Sequence, residues 1–312
     1  VEVIIPGYTH LQQGQPVRAA HWMLSHLWPI DRDRELVESV RTQAGVLPLG
    51  SGAISGCPFL IDREFLREEL GFSRISENSM DAVSDRDWVL DFLFTTARIG
   101  VHLSRLAEDL VLFASKEFGF LRLSDGYSTG SSLMPQKRNP DVAELVRGQS
   151  GRLVGNLMAL FTVLKGLPTG FNRDLQDDKR TLFDSVDTLM VALPAMEGAV
   201  RGAELQLDRI ASVLDPQLLA TDLADYLVRA GVPFREAHQV LATVVRVAED
   251  RGVALDKLPF DVFQEAHSAF ERDVFDVFSW EAAVEARMAP GGTARSAVMD
   301  QISRAADRLG HR

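Results

Sequence analysis

The sequence predicts an all-α protein in which a bundle of long helices, residues 1–212, precedes a small helical C-terminal domain, residues 213–312. Two observations support this fold class. Apolar residues recur every three or four positions over unusually long segments, as in helices that pack side by side in a bundle. Beyond Leu214 the segments shorten, and turn-rich pieces such as "DRGVALDKLP" separate them, which indicates a second, smaller domain.

The first two long helices are expected at residues 16–44 and 87–117. Pro29 interrupts the pattern of the first, because proline lacks the amide hydrogen that a helix interior needs. The second is about 30 residues long and would span about 45 Å, which is long for a globular helix and normal for a bundle. Its predicted apolar seam comprises Phe92, Ile99, Leu103, Leu106, Leu110 and Phe113, with Thr96 in the remaining seam position.

Two further long helices are expected at residues 139–164 and 177–210. In the first, Asn139 is a capping residue, Pro140 takes the first helical position and Asp141 is an early acid. Such apolar seams predict core packing, although an exposed apolar face can also form a subunit interface. The seam expected in the later helix comprises Phe183, Val186, Leu189, Leu193, Met196 and Val200.

Shorter helices are expected near residues 217–230, 233–250 and 260–270, and the loop "MAPGGTARSAV" follows them. The start, "VEVIIPGYTH", reads as a short β-type run that enters a proline turn. It has neither a capping segment nor an initiator methionine, so we expect the chain to be part of something longer.

Composition narrows the classes of function. The net charge of −11 argues against a general nucleic-acid binder, because phosphate binding depends on clustered Lys and Arg. The single cysteine, Cys57, permits no intrachain disulfide, and this favours a reducing compartment. No apolar run of membrane length and no metal-ligand motif occurs in the sequence, so we predict a cytoplasmic protein without a membrane or metal partner.

The segment "GSSLMPQKRNP" at residues 130–140, here called the signature loop, is richer in functional groups than a connection between helices requires. It leads into a helix start, where unpaired backbone amides favour an anion, and Lys137 adds a full positive charge. A bound carboxylate is the natural expectation. Next to that charge, the hydroxyls of Ser131 and Ser132 are candidates for activation, although a flexible linker is the plain alternative.

His10 is the second candidate proton carrier, in the segment "PGYTHLQ". A lone loop histidine is more often a structural hydrogen-bonder than a catalyst. A carboxylate close to the imidazole would favour the catalytic role, and Glu144 is the candidate for it. It comes one turn into the helix after the signature loop, and its side chain leans back toward the helix start.

Several segments together resemble the fumarase/aspartase superfamily and, within it, the argininosuccinate lyase family. The signature loop carries the superfamily resemblance. The narrower one is carried by "PGYTHLQQGQPVRAAHWMLSH", "NSMDAVSDRDWVLDFLF", "LSRLAEDLVLF", "DGYSTGSSLMPQKRNPDVAELVRG", "LKGLPTGFNRDLQDDK" and "ATDLADYLVRAGVPFREAH". The resemblance covers essentially the whole chain, and it implies a long-helix bundle of the fumarase/aspartase type.

The resemblance also implies an activity, the β-elimination that splits argininosuccinate into arginine and fumarate, with no cofactor. Ser131 is then the base that removes a proton from the carbon beside a succinyl carboxylate. The resulting aci-carboxylate would be stabilised by Lys137 and Asn139. His10, beside Thr9 and paired with Glu144, would assist proton delivery to the leaving nitrogen. The residues implied to contact substrate are Thr9, Asn139, Phe171, Gln176 and Lys179.

The chain departs from the family pattern in two ways. Phe171 stands where relatives usually carry tyrosine, so a substrate-facing hydroxyl is missing. No counterpart of the family's amino-terminal domain and its substrate-binding loop precedes "PGYTHLQ". Because the family builds each active site from three subunits of a homotetramer, we expect this chain alone to fold and associate but to have little or no lyase activity.

Two alternatives remain open. One is a non-catalytic relative that keeps the bundle for stability, as the lens crystallins of this family do. Intact Ser131, Lys137, His10 and Glu144 count against it, whereas the missing front segment counts for it. The other is a sister lyase that releases fumarate from a different substrate.

Overall fold

The computed structural model describes residues 1–310, which form two compact units. One unit, here called the bundle unit, comprises His26–Leu205. The other, here called the hairpin unit, joins Val1–Ser25 to the chain from Gln206 onward. The domain boundary between residues 212 and 213 stays a prediction.

Helices account for most of residues 1–310, so the all-α class is confirmed. They are α1 (Ala19–Ala44), α2 (Arg63–Glu69), α3 (Ser79–Ala82), α4 (Asp87–Ala114), α5 (Asp141–Leu164), α6 (Asp178–Arg201), α7 (Leu207–Val213), α8 (Ala220–Arg229), α9 (Phe234–Arg251), α10 (Phe260–Ala266), α11 (Trp280–Glu285) and α12 (Arg295–Arg308).

Short strands form four separate pairs within the same described range. The antiparallel pairs are β1 (Ile4–Thr9) with β2 (Gln12–Arg18), β5 (Leu121–Arg122) with β8 (Glu204–Leu205), and β6 (Thr129–Gly130) with β7 (Arg138–Asn139). The parallel pair is β3 (Val46–Leu47) with β4 (Arg74–Ile75).

The bundle unit is built on α4, α5 and α6, and successive helices run antiparallel. Near one end, Leu160 of α5 packs with Val89 and Leu93 at the start of α4. Toward the other end, Arg147 of α5 donates to Glu108, late in α4. The predicted α4 seam is confirmed, because its members from Ile99 onward are buried and Phe92 is half-buried.

Helix α1 differs from its prediction at both points that involve proline. It begins at Ala19, because Pro16 lies in β2, whose pairing with β1 uses residues 12–18. The sequence reading recognised the first strand of this hairpin and missed its partner. Pro29 leaves the helix continuous to Ala44.

The expected cap of α5 is wrong. Asn139 lies in β7 and Pro140 occupies the cap position, with no side-chain hydrogen bond to the helix. The helix starts at Asp141, whose carboxylate instead accepts a hydrogen bond from the Thr129 hydroxyl. The helix start is therefore fastened to the strand that opens the signature loop.

Helix α6 ends at Arg201 rather than at residue 210, and its predicted seam is partly wrong. Phe183, Val186 and Leu193 are exposed. The face of α6 that is buried instead carries mostly small and hydroxyl-bearing side chains, which allow neighbouring helices to approach closely. Their hydroxyls donate to backbone carbonyls one turn back, as Ser185 Oγ does to the Thr181 carbonyl at 2.8 Å. The buried face consists of Asp178, Thr181, Ser185, Thr188, Leu189, Ala192, Met196 and Ala199.

The hairpin unit has a separate apolar core, which α8, α9 and α10 build together with the segments between them. These helices match the short ones predicted, within a few residues at their ends. Three helices of this unit were not predicted as separate elements: α7, α11, and α12, which begins inside the segment predicted as a loop. Among residues 1–310, no helix has the length and apolar content that crossing a bilayer requires.

Candidate active site

The signature loop is the connection of a small hairpin at the amino-terminal end of α5. Thr129 pairs with Asn139 and Gly130 pairs with Arg138, so residues 131–137 project as a closed loop. The Arg138 guanidinium is paired with the Asp125 carboxylate. The hairpin thus places Ser131, Lys137 and Asn139 in one short loop and its closing strand.

The Ser131 hydroxyl accepts hydrogen bonds from two backbone amides. The Leu133 amide nitrogen lies 3.2 Å from Ser131 Oγ, and the Met134 amide nitrogen lies 3.0 Å from it. Amide donors aimed at a hydroxyl oxygen stabilise the negative charge that it gains when it loses its proton. Ser131 is half-buried, whereas Ser132 is exposed.

Lys137 supplies an uncompensated positive charge to this loop. Its backbone amide closes a turn to the Met134 carbonyl at 2.9 Å, while its side chain is exposed. Within residues 1–310 its ammonium forms no ion pair, in contrast to that of neighbouring Arg138. The loop can therefore present both a proton acceptor and a cation to an anionic ligand.

Glu144 lies in the first turn of α5, and it is exposed. Arg147 Nη2 is 4.0 Å from Glu144 Oε1, and the same guanidinium donates to Glu108 at 2.5 Å. Because Arg147 already has a close carboxylate partner, Glu144 can still accept from another donor.

The predicted substrate contacts Phe171, Gln176 and Lys179 lie at the opposite end of the bundle unit. Phe171 belongs to the loop after α5, Gln176 to the 3-10 turn Arg173–Asp177, and Lys179 to the first turn of α6. All three side chains are exposed. Helix α5 separates the two groups, and its 24 residues correspond to about 36 Å. One copy of the unit therefore cannot bring both groups to the same small molecule.

Sequence reasoning missed two charged residues in this second group. The Asp178 carboxylate accepts hydrogen bonds from Lys179 Nζ at 2.7 Å and from Arg86 Nε. Arg86 precedes Asp178 by 92 positions, so only the packing of α4 beside α6, with their amino-terminal ends together, brings the two residues into contact. The adjacency of Asp178 and Lys179 was the one signal present in the sequence.

Thr9 and His10 lie at the tip of the β1–β2 hairpin, in the hairpin unit. Thr9 pairs with Gln12, which leaves His10 and Leu11 as a two-residue turn. Both turn residues have φ of 56°, and they are the only non-glycine residues among residues 1–310 with positive φ. Strained backbone of this kind concentrates at functional sites.

Two glutamine side chains of β2 attach the hairpin to the rest of the hairpin unit. Gln13 Nε2 donates to the Val213 carbonyl at 3.1 Å, and Gln15 Nε2 donates to Thr221 Oγ1 at 2.9 Å. Both contacts lie within the hairpin unit. They anchor the strand that follows the turn of the exposed His10.

No group of three or more His, Cys, Asp or Glu side chains in the described part of the chain is arranged to hold a metal ion. The functional groups described above are a hydroxyl and a cation in the signature loop, a carboxylate in the first turn of α5 and an imidazole at the tip of the β1–β2 hairpin. These groups suit proton transfer next to an anion.

Comparison with solved structures places the fold among the helical lyases of the fumarase type. An EDDS lyase solved in complex with formate superposes with a TM-score of 0.90 at 27% identity, over 99% of this chain and 64% of that one. A class II fumarase from Schistosoma mansoni shares the fold alone, with a TM-score of 0.74 at 18% identity, over 89% of this chain and 61% of that one.

Sequence comparison is more specific. Residues 1–155 match a family described as Lyase, and residues 217–285 match one described as Argininosuccinate lyase C-terminal. Argininosuccinate lyases of Roseiflexus sp. (strain RS-1) and Roseiflexus castenholzii are 56% and 55% identical, over 97% and 99% of this chain and 66% and 68% of their own lengths. The chain belongs to the argininosuccinate lyase family. It spans about two thirds of the length of these relatives.

Proposed function

We propose that this chain supplies the catalytic loop for the β-elimination of argininosuccinate to arginine and fumarate. Family membership supports the substrate and the reaction class. The observation that carries the mechanism is Ser131 Oγ, which accepts hydrogen bonds from two backbone amides in the loop that also carries the exposed Lys137 side chain.

In the proposed reaction, Ser131 in its alkoxide form removes the proton from the carbon beside a succinyl carboxylate. The electron pair moves into that carboxylate, and the aci-carboxylate so formed is stabilised by the Lys137 ammonium and the Asn139 amide. The electrons then form the carbon–carbon double bond of fumarate as the bond to the guanidino nitrogen breaks. That nitrogen takes a proton, which gives arginine.

The other predicted residues have supporting roles in this proposal. His10, with Thr9 beside it and Glu144 as its carboxylate partner, assists proton delivery to the leaving nitrogen. Gln176 and Lys179 bind the substrate, and Phe171 contributes an apolar surface where relatives use a tyrosine. No cofactor takes part, and we place the reaction in the cytoplasm.

We further propose a homotetramer with shared active sites. The separation of about 36 Å between the two ends of α5 supports sharing, since one copy cannot unite its own Ser131 and Lys179. Exposed apolar side chains on α6 support association through the bundle, because water-exposed apolar surface is stabilised by burial. They include Phe183, Met190, Val191 and Leu193.

The decisive test is fumarate release, followed by ultraviolet absorbance. It uses the chain joined to the segment that precedes the matching region in the Roseiflexus sp. relative, here called the joined chain. Ser131→Ala is expected to lower turnover by about 10²–10⁴-fold with substrate binding largely retained, because only proton removal needs the alkoxide.

Ser132→Ala is the matched comparison, since it deletes the neighbouring hydroxyl from the same loop. It is expected to keep most of the turnover. A Ser131→Ala enzyme with near-normal turnover, or a Ser132→Ala enzyme as slow as Ser131→Ala, would contradict the assignment of the base.

A further inference from the structure

A glycine-rich loop, residues 50–56, comes shortly after β3 in the bundle unit. Its two ends meet in a backbone hydrogen bond of 2.9 Å, which the Gly56 amide donates to the Ser51 carbonyl. Glycine is required at this crossing, because a Cβ atom on Gly52, whose φ is 58°, would overlap the Gly56 carbonyl oxygen. The loop is therefore a compact ring rather than an open connection.

Arg63 anchors the start of the glycine-rich loop. Its guanidinium donates to the Leu49 carbonyl at 3.0 Å and to the Leu47 carbonyl at 3.2 Å. It also donates to the carbonyl and to the hydroxyl of Ser76. All four acceptors are neutral, so the planar array of donors joins two segments of the chain rather than balancing a charge. The glycine-rich loop therefore starts from a fixed base.

Ile54, in the middle of the glycine-rich loop, contacts the loop that follows α5, residues 166–172, here called the Phe171 loop. The Ile54 carbonyl accepts a hydrogen bond from Ser79 Oγ at 2.8 Å, which fixes the backbone at this position. Its side chain packs against Gly170, since a Cβ atom on that glycine would lie 3.2 Å from Ile54 Cδ1. Gly170 is buried, although the residues on either side of it are exposed.

Gly170 directly precedes Phe171, one of the predicted substrate contacts. Its φ of 88° is open to glycine and strained for other residues, so this position gives the Phe171 loop its conformational freedom. Asn172 Nδ2 closes the loop from within, because it donates to the Pro168 carbonyl at 3.0 Å and to the Gly170 carbonyl at 3.1 Å. A neighbour that restrains Gly170 from outside also restrains Phe171.

We propose that Ile54 is a positioning residue, which holds the Phe171 loop at Gly170 and thereby fixes Phe171 for substrate binding. The proposal rests on the proposed lyase function, in which Phe171 lines the substrate. Ile54 itself touches no substrate atom. Its effect on the reaction passes through the Phe171 loop, which the glycine-rich loop and Arg63 connect to the β3–β4 pair.

The first test needs no lyase activity and follows limited trypsin cleavage of the 312-residue chain by mass spectrometry. Lys165 is exposed just ahead of the Phe171 loop, and cleavage after it requires the loop to open. Ile54→Ala is expected to speed this cleavage severalfold. Ile54→Val, which deletes only the Cδ1 methyl group, should speed it less.

Two controls separate a local effect from a general one. Cleavage after Arg201, at the other end of α6 in the same unit, is the internal reference, since a general loss of stability would speed both cleavages. Leu60→Ala is the matched control, because the Leu60 side chain is fully exposed in the same region of the chain. It should leave both rates as in the parent.

The second test measures KM and kcat separately in the joined chain. Ile54→Ala is expected to raise KM about fivefold with a smaller change in kcat, because a displaced Phe171 loop weakens binding of the substrate and of the transition state alike. Ile54→Val should fall between the parent and Ile54→Ala, and Leu60→Ala should match the parent. A purely structural role would instead lower the melting temperature and the active fraction with KM unchanged.

The two proposals fail separately. An inactive joined chain would overturn the proposed function, and the trypsin rates would then decide the positioning of the Phe171 loop alone. Cleavage after Lys165 that is no faster in Ile54→Ala than in the parent, or that rises equally after Arg201 or in Leu60→Ala, would overturn the positioning role. A KM that Ile54→Ala leaves unchanged in an active joined chain would overturn it as well.

Discussion

At the tip of the β1–β2 hairpin, two ordinary side chains occupy backbone angles that suit glycine or asparagine. A two-residue hairpin turn needs positive φ at both positions, and Asn-Gly is the usual solution. Here His10 and Leu11 fill them at φ of 56°. The strain is offset elsewhere in the hairpin unit by the bonds of Gln13 and Gln15.

Leu11→Gly is therefore expected to raise the free energy of unfolding by about 1 kcal/mol, because glycine adopts this conformation without a steric penalty. Little packing is lost, since Leu11 is 62% exposed. Denaturant unfolding of the 312-residue chain measures the difference. Leu11→Ile, which is branched at Cβ, is the control and should be less stable than the parent. The idea fails if the glycine variant is no more stable than the isoleucine variant.

At the scale of elements, an ion-pair network around one buried arginine joins β2 to α11. The Arg18 side chain is fully buried, and its guanidinium donates to Glu281 and Glu285 at 2.5 Å each. The hydrogen bond from Arg18 lowers the pKa of Glu285 below its ordinary value of 4.5, and the Arg295 backbone amide adds to the effect. A carboxylate of this kind stabilises the folded state while it is ionised.

The sign of the pH effect follows from that lowered pKa. The contribution of Glu285 is fully present above pH 4.5 and is lost as the pH falls through the lower folded value. Glu285→Gln is expected to cost about 1 kcal/mol at pH 7, a small figure because the carboxylate is partly exposed.

Chemical denaturation of both proteins at several pH values measures this cost. The difference between parent and variant should shrink below pH 4.5. Glu265→Gln, at an exposed acid of the same unit, is the control and should behave like the parent at every pH. A difference that stays constant down to pH 3 would refute the linkage.

The long helices were predictable because their information is local and repeated. The α4 seam, for example, can be read from spacing alone, and its buried residues match. Contacts between distant segments left no such pattern. The partner strand β2, the polar buried face of α6 and the Arg86–Asp178 pair all depend on packing. The same holds for the site: the signature loop was visible as a motif, whereas the pairing of Arg86 with Asp178 was not.

At the scale of the whole molecule, the separation of the two residue groups along α5 implies that subunits can complement each other. A joined chain with Ser131→Ala and one with Lys179→Ala should each be inactive. Unfolded together in equal amounts and refolded, they are expected to regain about a quarter of the parent activity, since each site draws its two groups from different subunits at random.

Fumarate release before and after co-refolding measures this recovery, and light scattering should show a tetramer in every sample. The control refolds each variant separately, which should yield no activity. If the mixture stays as inactive as its components, or if the protein is a stable monomer at micromolar concentration, sharing of sites is ruled out.

The discontinuous hairpin unit has a consequence for synthesis on the ribosome. Residues 1–25 pack with the chain from Gln206 onward, and the whole of the bundle unit is translated between them. At roughly 5–20 residues per second, the first segment waits on the order of ten to forty seconds for its partners. Its strained turn cannot hold the hairpin during that time, since a lone hairpin is marginal even with a favourable turn. The histidine at its tip is therefore set in place late, after the helices that carry the serine loop have emerged.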